Sequence, residues 1–159
     1  MQEIAIELNK AIEVFFYSDL TSFDWNYKSS PEKWSRKEIL GHLIDSAQIN
    51  LQRFVRCTYD ENFKLIYYQE EWVSAQCYQQ AHINELLTLW RLLNGQIIRV
   101  LENYPADRTE IKCDNSKTEV SLHTVRWLAS DYIVHMNHHL NQIQKFNPHE
   151  PTNRNMANS

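Results

Sequence analysis

Apolar residues recur at three- and four-residue spacing in four long stretches, each of which predicts an amphipathic helix. The predicted helices cover residues 2–20, 35–58, 71–103 and 121–146, with an interruption of the third expected near Tyr78. Between them, residues 21–34, 59–70 and 106–120 are polar or rich in aromatic side chains and predict long connecting loops. Four helices of this length predict an all-α fold, a four-helix bundle.

Individual residues mark where these helices are expected to begin and end. Ser35 and Glu38 have the spacing of a capping box, which places the start of the second helix at Ser35. Pro105 disfavours helix in the residue before it and ends the third helix. The aromatic residues of the first connector, Trp25, Tyr27 and Trp34, are expected to fold that loop back onto the bundle.

Length and composition predict one domain. The chain has 159 residues, of which 43% are apolar, and it contains only two glycines and four prolines. Such a chain is large enough to bury a core, and its few helix breakers favour long helices. We therefore predict a single domain over residues 1–146 and a polar C-terminal tail over residues 147–159.

Charge and cysteine content narrow the class of protein. The formal charge of −4 is spread along the chain without a basic stripe, which argues against nucleic-acid binding. Neither a secretory leader nor a membrane-spanning stretch is evident, so no membrane partner is expected. The three cysteines, Cys57, Cys77 and Cys113, are odd in number and widely spaced, which predicts a reduced, cytoplasmic protein.

Three of the seven histidines, His135, His138 and His139, lie within five residues of the fourth predicted helix. At 100° per residue, His139 falls about 40° from His135 and inside the apolar arc, whereas His138 faces outward. The arc is formed by Val125, Leu128, Tyr132, Met136, Leu140, Ile143 and Phe146. His135 and His139 are thus the candidate pair of metal ligands, although histidines at a helix edge are more often structural.

A third ligand must come from elsewhere, since catalytic zinc sites use three protein ligands and leave one position open. His42 on the second helix is the best candidate. Ser46, Asn50 and Arg53 follow it on the same side of that helix and form a polar seam beside the apolar face. Polar groups that border a core need partners, so this seam indicates a pocket.

The sequence also resembles a known family in two stretches. Trp34 and Glu38-Ile-Leu-Gly-His42-Leu-Ile-Asp45-Ser, followed by Asp131-Tyr-Ile-Val-His135-Met-Asn-His138-His139, are similar to the DinB-like family of bacterial four-helix metalloproteins. The resemblance implies a divalent ion, zinc or nickel, bound by His42, His135 and His139, with His138 not a ligand. It also implies a homodimer.

Three functions are compatible with such a site. Related bundles include transferases that join a low-molecular-weight thiol to electrophilic small molecules, and this is the first expectation. A hydrolase that uses metal-activated water and a non-catalytic metal-binding stress protein are the alternatives. The candidate catalytic residues are Arg53 and Asn50, which could orient a polar substrate, and Asp131, which could accept a ring proton from His135.

Overall fold

The computed structural model describes residues 1–145, and four long helices form its body. The helices are α1 (Gln2–Phe16), α2 (Arg36–Arg56), α3 (Gln69–Gln76), α4 (Ile83–Glu102) and α5 (Val125–Lys145). Two short strands, β1 (Lys112–Asp114) and β2 (Leu122–Thr124), precede α5. The predicted all-α four-helix bundle is confirmed, and α3 is a short addition to it. Phe146, the predicted helix end, and the predicted tail over residues 147–159 lie outside the described residues.

The bundle core lies between the amphipathic faces of the long helices. Both α1 and α2 pack against α4 and α5, and α3 lies against α2. The predicted apolar arc of α5 is buried at Val125, Leu128, Tyr132, Met136, Leu140 and Ile143. Burying each large apolar side chain contributes about 1.5–3 kcal/mol to the hydrophobic driving force. In the part of the chain that the structure describes, no helix is long and apolar enough to cross a membrane.

The first helix is shorter than predicted. It ends at Phe16 instead of residue 20 because the following polar side chains bind nearby backbone groups. Ser18 Oγ donates to the carbonyl of Phe15 at 2.6 Å, and Asp19 caps a 3₁₀ turn over Leu20–Ser22. The apolar spacing continues past the helix end, so periodicity alone placed the boundary too late.

The aromatic connector between α1 and α2 folds back onto the bundle, as predicted. Trp25 is buried, its ring nitrogen donates to Leu20 O at 3.2 Å, and its own carbonyl accepts from Lys37 N at 3.0 Å. Trp34 is half-buried and packs against the core. These contacts hold the connector against the N-terminal end of α2.

The predicted interruption of the third helix near Tyr78 is confirmed. Helix α3 ends at Cys77, whose φ of 50° is left-handed, and a 3₁₀ turn over Tyr78–Gln80 follows before α4. The ring of Tyr78 lies on Gly41 of α2, where a Cβ atom would clash with it. The break therefore seats an aromatic ring against α2 at a point that only glycine can accommodate.

A two-stranded hairpin stands where the sequence predicted a polar loop and the first turn of the last helix. Strand β1 pairs antiparallel with β2, with Cys113 opposite His123. Residues of the 59–70 connector join the same ladder, because Asp114 N donates to Phe63 O and Leu65 N donates to Asp114 O. Thr124 Oγ1 accepts from Trp127 N and caps α5. The helix therefore begins at Val125 instead of residue 121.

Candidate metal centre

His42 is placed by the start of α2. The predicted capping box is present: Glu38 N donates to Ser35 Oγ at 3.1 Å, and Ser35 N donates to the Glu38 carboxylate at 2.7 Å. This fixes the helix start, and His42 follows two turns later on the side that faces α5. Its side chain is buried, with only 1% of its surface exposed, under the ring of Trp34 at a centroid distance of 5.0 Å.

The three predicted histidines converge between α2 and α5. One ring nitrogen from each of His42, His135 and His139 lies within 4.8 Å of the other two. The Nε2 atoms of His42 and His135 are 3.1 Å apart. His135 and His139 are one helical turn apart, as the four-residue spacing requires, with ring centroids separated by 4.6 Å. His138 is exposed, as predicted, and its ring lies 5.1 Å from that of His139 without being part of the three-nitrogen cluster.

Burial keeps these imidazoles neutral near pH 7. Loss of solvation, followed by repulsion from His139 and His135, lowers the pKa of His42 to about 3. The same effects, with His139 and His138 as neighbours, lower the pKa of His135 to about 4. Burial also lowers the pKa of His139, although its bond to Gln142 opposes that shift. Neutral imidazole is the form that donates a lone pair to a metal.

Two ligand candidates have a hydrogen-bond partner on Nδ1. His42 Nδ1 lies 2.8 Å from the hydroxyl oxygen of Tyr67, and the two rings stack at 12°. His139 Nδ1 lies 3.0 Å from Gln142 Oε1. Because the amide oxygen can only accept, His139 carries its proton on Nδ1 and presents a lone pair on Nε2. Such outer partners orient metal-binding histidines.

Three neutral nitrogen donors within a few ångströms of each other fit a divalent ion such as zinc or nickel. The donor set lacks a thiolate or a carboxylate within the described residues. A bound ion would therefore keep its full charge. The residues of the site are thus chemically suited to a Lewis acid with open coordination positions.

Tyr67 and Gln142 were not predicted from the sequence. Gln142 lies one turn after His139 on α5, so its contact follows from helical spacing once His139 is taken as a ligand. Tyr67 lies in the aromatic connector before α3, and no periodicity relates it to His42. The sequence feature that pointed to a role for this connector is its high content of aromatic residues.

Asn50 and Arg53, candidates for substrate binding, hold the connector to α2. Arg53 Nη2 donates to Leu65 O at 2.8 Å and Nη1 donates to Asn50 Oδ1 at 3.3 Å. Asn50 in turn donates to the carbonyl of Ser46 at 2.9 Å. The predicted polar seam is therefore buried and internally bonded. Contact of either residue with substrate stays a prediction.

Asp131, the predicted partner of His135, is exposed on α5. Among residues 1–145 it forms no hydrogen bond with that histidine. Its charge acts instead on Arg53, whose pKa burial lowers and Asp131 partly restores. The outer partners that the structure does provide are Tyr67 and Gln142.

One cavity opens beside His139, and a second adjoins it. One, of about 250 Å³, is lined by Trp34, Glu70, His139 and Gln142, together with Glu32, Lys33, Ile39 and Gln69. The second, of about 360 Å³, shares Trp34 and Glu70 with it and extends to Cys77 and Tyr78. A larger cavity of about 640 Å³ between α2 and α4 contains no histidine. Access to the candidate site therefore runs past Trp34 and Glu70.

Comparison with known proteins supports the resemblance seen in the sequence. The model of the DinB superfamily matches residues 15–143. Among solved structures, YfiT from Bacillus subtilis, described as a probable metal-dependent hydrolase with an unusual four-helix bundle topology, matches with a TM-score of 0.70. That match has 20% sequence identity and covers 90% of this chain and 79% of the other, so it shows a shared fold. No curated protein matches the chain significantly. Because the family model spans most of its length, the chain belongs to the DinB superfamily.

Proposed function

We propose that His42, His135 and His139 bind one divalent metal ion, zinc or nickel, and that the protein is a metal-dependent enzyme acting on a small molecule. The observation that carries this proposal is the convergence of three ring nitrogens within 4.8 Å of one another. Their burial, which holds the imidazoles neutral, supports it further. Each neutral imidazole can offer one ring-nitrogen lone pair to a shared ion.

The cavity beside His139 supports a small-molecule substrate. Trp34 forms one wall with its indole ring over His42, and Glu70 and Gln142 provide polar groups at the rim. A concave site with an aromatic wall and a few polar groups is typical of small-ligand pockets. A volume of about 250 Å³ suits part of a metabolite, and the adjoining cavity of about 360 Å³ extends it.

Each residue then has a distinct task. His42, His135 and His139 hold the ion, while Tyr67 and Gln142 keep two of those rings in orientation. A divalent ion held by neutral imidazoles acts as a Lewis acid that lowers the pKa of a bound water or thiol. Trp34 packs against the ring of His42, and Glu70, one of two carboxylates that line the cavity, is assigned to take a proton from the attacking nucleophile.

Hydrolysis is the first candidate reaction that we propose, ahead of the thiol transfer expected from the sequence. The cavity offers carboxylates in Glu32 and Glu70 against one lysine, Lys33, which suits proton removal from water. YfiT, the solved structure compared above, is described as a probable metal-dependent hydrolase, and its match covers 90% of this chain. The sequence alone did not reveal a carboxylate beside the histidines.

Thiol transfer is the second candidate. The two adjoining cavities, which share Trp34 and Glu70, provide room for a thiol and an electrophile side by side. Both reactions use the same metal ligands and differ in the nucleophile. In each case, Glu70 would accept the proton that the nucleophile releases as its bond to the electrophilic carbon forms. The bond from that carbon to the leaving group would break, and the leaving group would depart with the electron pair, as a halide ion or, after taking up a proton, as an alcohol or amine.

One assay separates these reactions. Zinc- or nickel-loaded protein is incubated with a panel of esters, amides and alkyl halides, with and without cysteine or bacillithiol, and the products are identified by mass spectrometry. Hydrolysis without thiol supports the first candidate, and thiol-dependent conjugates support the second. Metal binding without turnover on either panel would instead indicate a non-catalytic metal-binding protein. The Glu70→Gln variant is expected to reduce turnover without reducing metal content.

A homodimer and a cytoplasmic location remain predictions. Exposed apolar side chains on α1 and α4, including Ile6, Val14 and Leu92, are compatible with a partner helix. Sedimentation velocity at several protein concentrations measures the oligomeric state directly. A monomer at all concentrations would contradict the homodimer.

A further inference from the structure

A groove between the C-terminal parts of α2 and α4 lies apart from the histidine cluster. Its volume is about 640 Å³, which is within the range of small-ligand pockets. The wall that α2 provides extends from Leu51 to Thr58, and the wall that α4 provides extends from Gln96 to Asn103. Leu51 follows His42 by nine residues on α2, so the groove begins about 13 Å further along the helix axis. The groove is therefore separate from the candidate metal centre.

Apolar atoms form most of the lining of this groove. Leu51 and Val100 are partly buried and pack against the core of the bundle. Val55, between them and the solvent, keeps 40% of its surface exposed, and Pro105 is exposed at the end of the groove. Apolar surface in a concave site gains free energy when the apolar part of a ligand removes it from water. The lining thus suits a ligand with an apolar body.

Two hydrogen bonds join the walls of the groove. The Tyr104 hydroxyl group donates to the Phe54 carbonyl at 2.9 Å and connects the end of α4 to α2. Arg108 Nε donates to the Cys57 carbonyl at 3.2 Å and connects the chain after α4 to the end of α2. A groove whose walls are bonded to each other is formed before a ligand arrives, so the ordering cost of binding is small.

Arg99 is the only charged residue among the described residues that line the groove. Within residues 1–145 its guanidinium group has neither a hydrogen-bond partner nor an ion-pair partner. Two neighbouring polar side chains are bonded to backbone carbonyls instead: Thr58 Oγ1 donates to Val55 O at 2.7 Å, and Asn103 Nδ2 donates to Arg99 O at 2.8 Å. An unpaired cation beside an apolar groove favours a ligand with an anionic end.

We propose that this groove binds a small amphipathic carboxylate, with its apolar chain along Val55 and Val100 and its carboxylate on Arg99. Each wall spans seven residue steps, or about 10 Å, which matches a medium-length alkyl chain. The planar guanidinium group binds a carboxylate through two parallel hydrogen bonds. The competing explanation is that Arg99 only stabilises the C-terminus of α4, in whose last turn it lies. That role needs no ligand, so a binding experiment separates the two.

The probe is octanoate, and octanol, which has the same chain without the charge, is the comparison. Each is titrated into protein incubated with zinc and into protein treated with a chelator. Amide shifts in ¹H–¹⁵N spectra give both the Kd and the location of binding, which is needed because a carboxylate can also bind a metal ion at the histidines. The variants are Arg99→Gln, which removes the charge, and Val55→Asp, which places a negative charge in the groove. Arg91→Gln is the control, since Arg91 is on the same helix but lies over Phe16, outside the groove.

Octanoate is expected to shift amides of residues 51–58 and 96–105 in both preparations and to bind about 5-fold more tightly than octanol. Arg99→Gln should weaken octanoate binding about 5-fold and leave octanol binding unchanged, because only the carboxylate contacts the guanidinium group. Val55→Asp should weaken octanoate binding about 10-fold or more through repulsion between like charges. Arg91→Gln should leave both Kd values within about twofold of wild type.

The absence of shifts in these two segments, up to the solubility limit of octanoate, would overturn the proposal. Equal Kd values for octanoate and octanol, or an unchanged octanoate Kd in Arg99→Gln, would show that Arg99 serves only the helix terminus and would overturn it equally. Shifts confined to residues 135–139 would assign octanoate to the metal centre instead. If octanoate does not bind and Val55→Asp abolishes self-association in sedimentation velocity, the groove is a contact between copies of the chain. Arg99→Gln changes an exposed side chain, so it decides the matter even if Val55→Asp does not fold.

Discussion

His42 Nε2 lies 3.1 Å from His135 Nε2, across the interface of α2 and α5. Two imidazole nitrogens at that distance repel each other unless a proton or a cation lies between them or nearby. A neutral ring with its proton on Nε2 can donate to the other, and burial disfavours only a second, charging proton, since it lowers the pKa values of these rings to about 3 and about 4. The metal ion proposed above would replace that hydrogen bond and accept the lone pairs of all three rings at once.

The metal-free protein should lose stability as the pH falls from about 6.5 toward 4. The unfolded histidines bind protons near pH 6.5, whereas the folded ones, with lowered pKa values, do not. The unfolded state thus binds more protons in this range, and the free energy of unfolding falls with pH by about 1 kcal/mol per unit or more.

Asp45 acts in the opposite direction, because its pKa is raised to about 6 and its contribution to stability is lost as pH rises from 3.8 to 6. Because three histidines oppose this single carboxyl group, the net free energy of unfolding is expected to fall with falling pH. Urea denaturation at pH 7.5, 6 and 5 after chelation measures the net effect. His42→Gln should show a shallower decline, and a wild-type stability that rises between pH 7.5 and 5 would contradict the account.

Gly41→Ala should destabilise the protein by about 1–3 kcal/mol, because the added methyl group overlaps the ring of Tyr78. Gly95 on α4 is the matched control, since a Cβ there meets no atom within 4 Å. Gly95→Ala should be neutral or stabilising by about 0.5–1 kcal/mol, as expected for alanine in a helix. Chemical denaturation compares the two. Equal effects would show that Tyr78 is not seated on Gly41.

Arg53→Met should loosen the connector before α3, because it removes the bond from Nη2 to Leu65 O. We expect a loss of about 1–3 kcal/mol and faster amide exchange over residues 63–68. Arg126→Met, which breaks an exposed ion pair with Glu110, should change stability by less than about 0.5 kcal/mol. Unchanged amide exchange in Arg53→Met would instead favour the substrate-binding role predicted from the sequence.

Helical periodicity predicted much of the fold and the histidine cluster because both depend on local spacing. Rotation by 100° per residue separates His135 and His139 from His138, and in the structure the first two join His42 in the cluster while His138 is exposed. The capping box at Ser35 likewise depends on four consecutive residues. His42 could be proposed from its helix face and from family resemblance, although the approach of α2 to α5 is a tertiary contact.

The elements that the sequence did not predict depend on contacts between distant residues. Strands β1 and β2 have three residues each, too short for an alternating pattern to distinguish them from a loop. Tyr67 reaches His42 from a connector that is hydrogen-bonded to Arg53 and to β1. The Tyr78 hydroxyl, which donates to Asp45 Oδ1, lies at a helix break. The sequence predicted the position of that break but not its geometry.

The central claim is that His42, His135 and His139 bind a metal ion and that His138 does not. Metal content measured by plasma mass spectrometry, on protein purified without a histidine tag, tests it most directly. We predict about one zinc or nickel ion per chain in wild type and in His138→Ala, and a loss of the ion in His42→Ala, His135→Ala and His139→Ala. Wild-type protein that stays metal-free after incubation with either ion, or a His42→Ala variant that binds normally, would contradict the account.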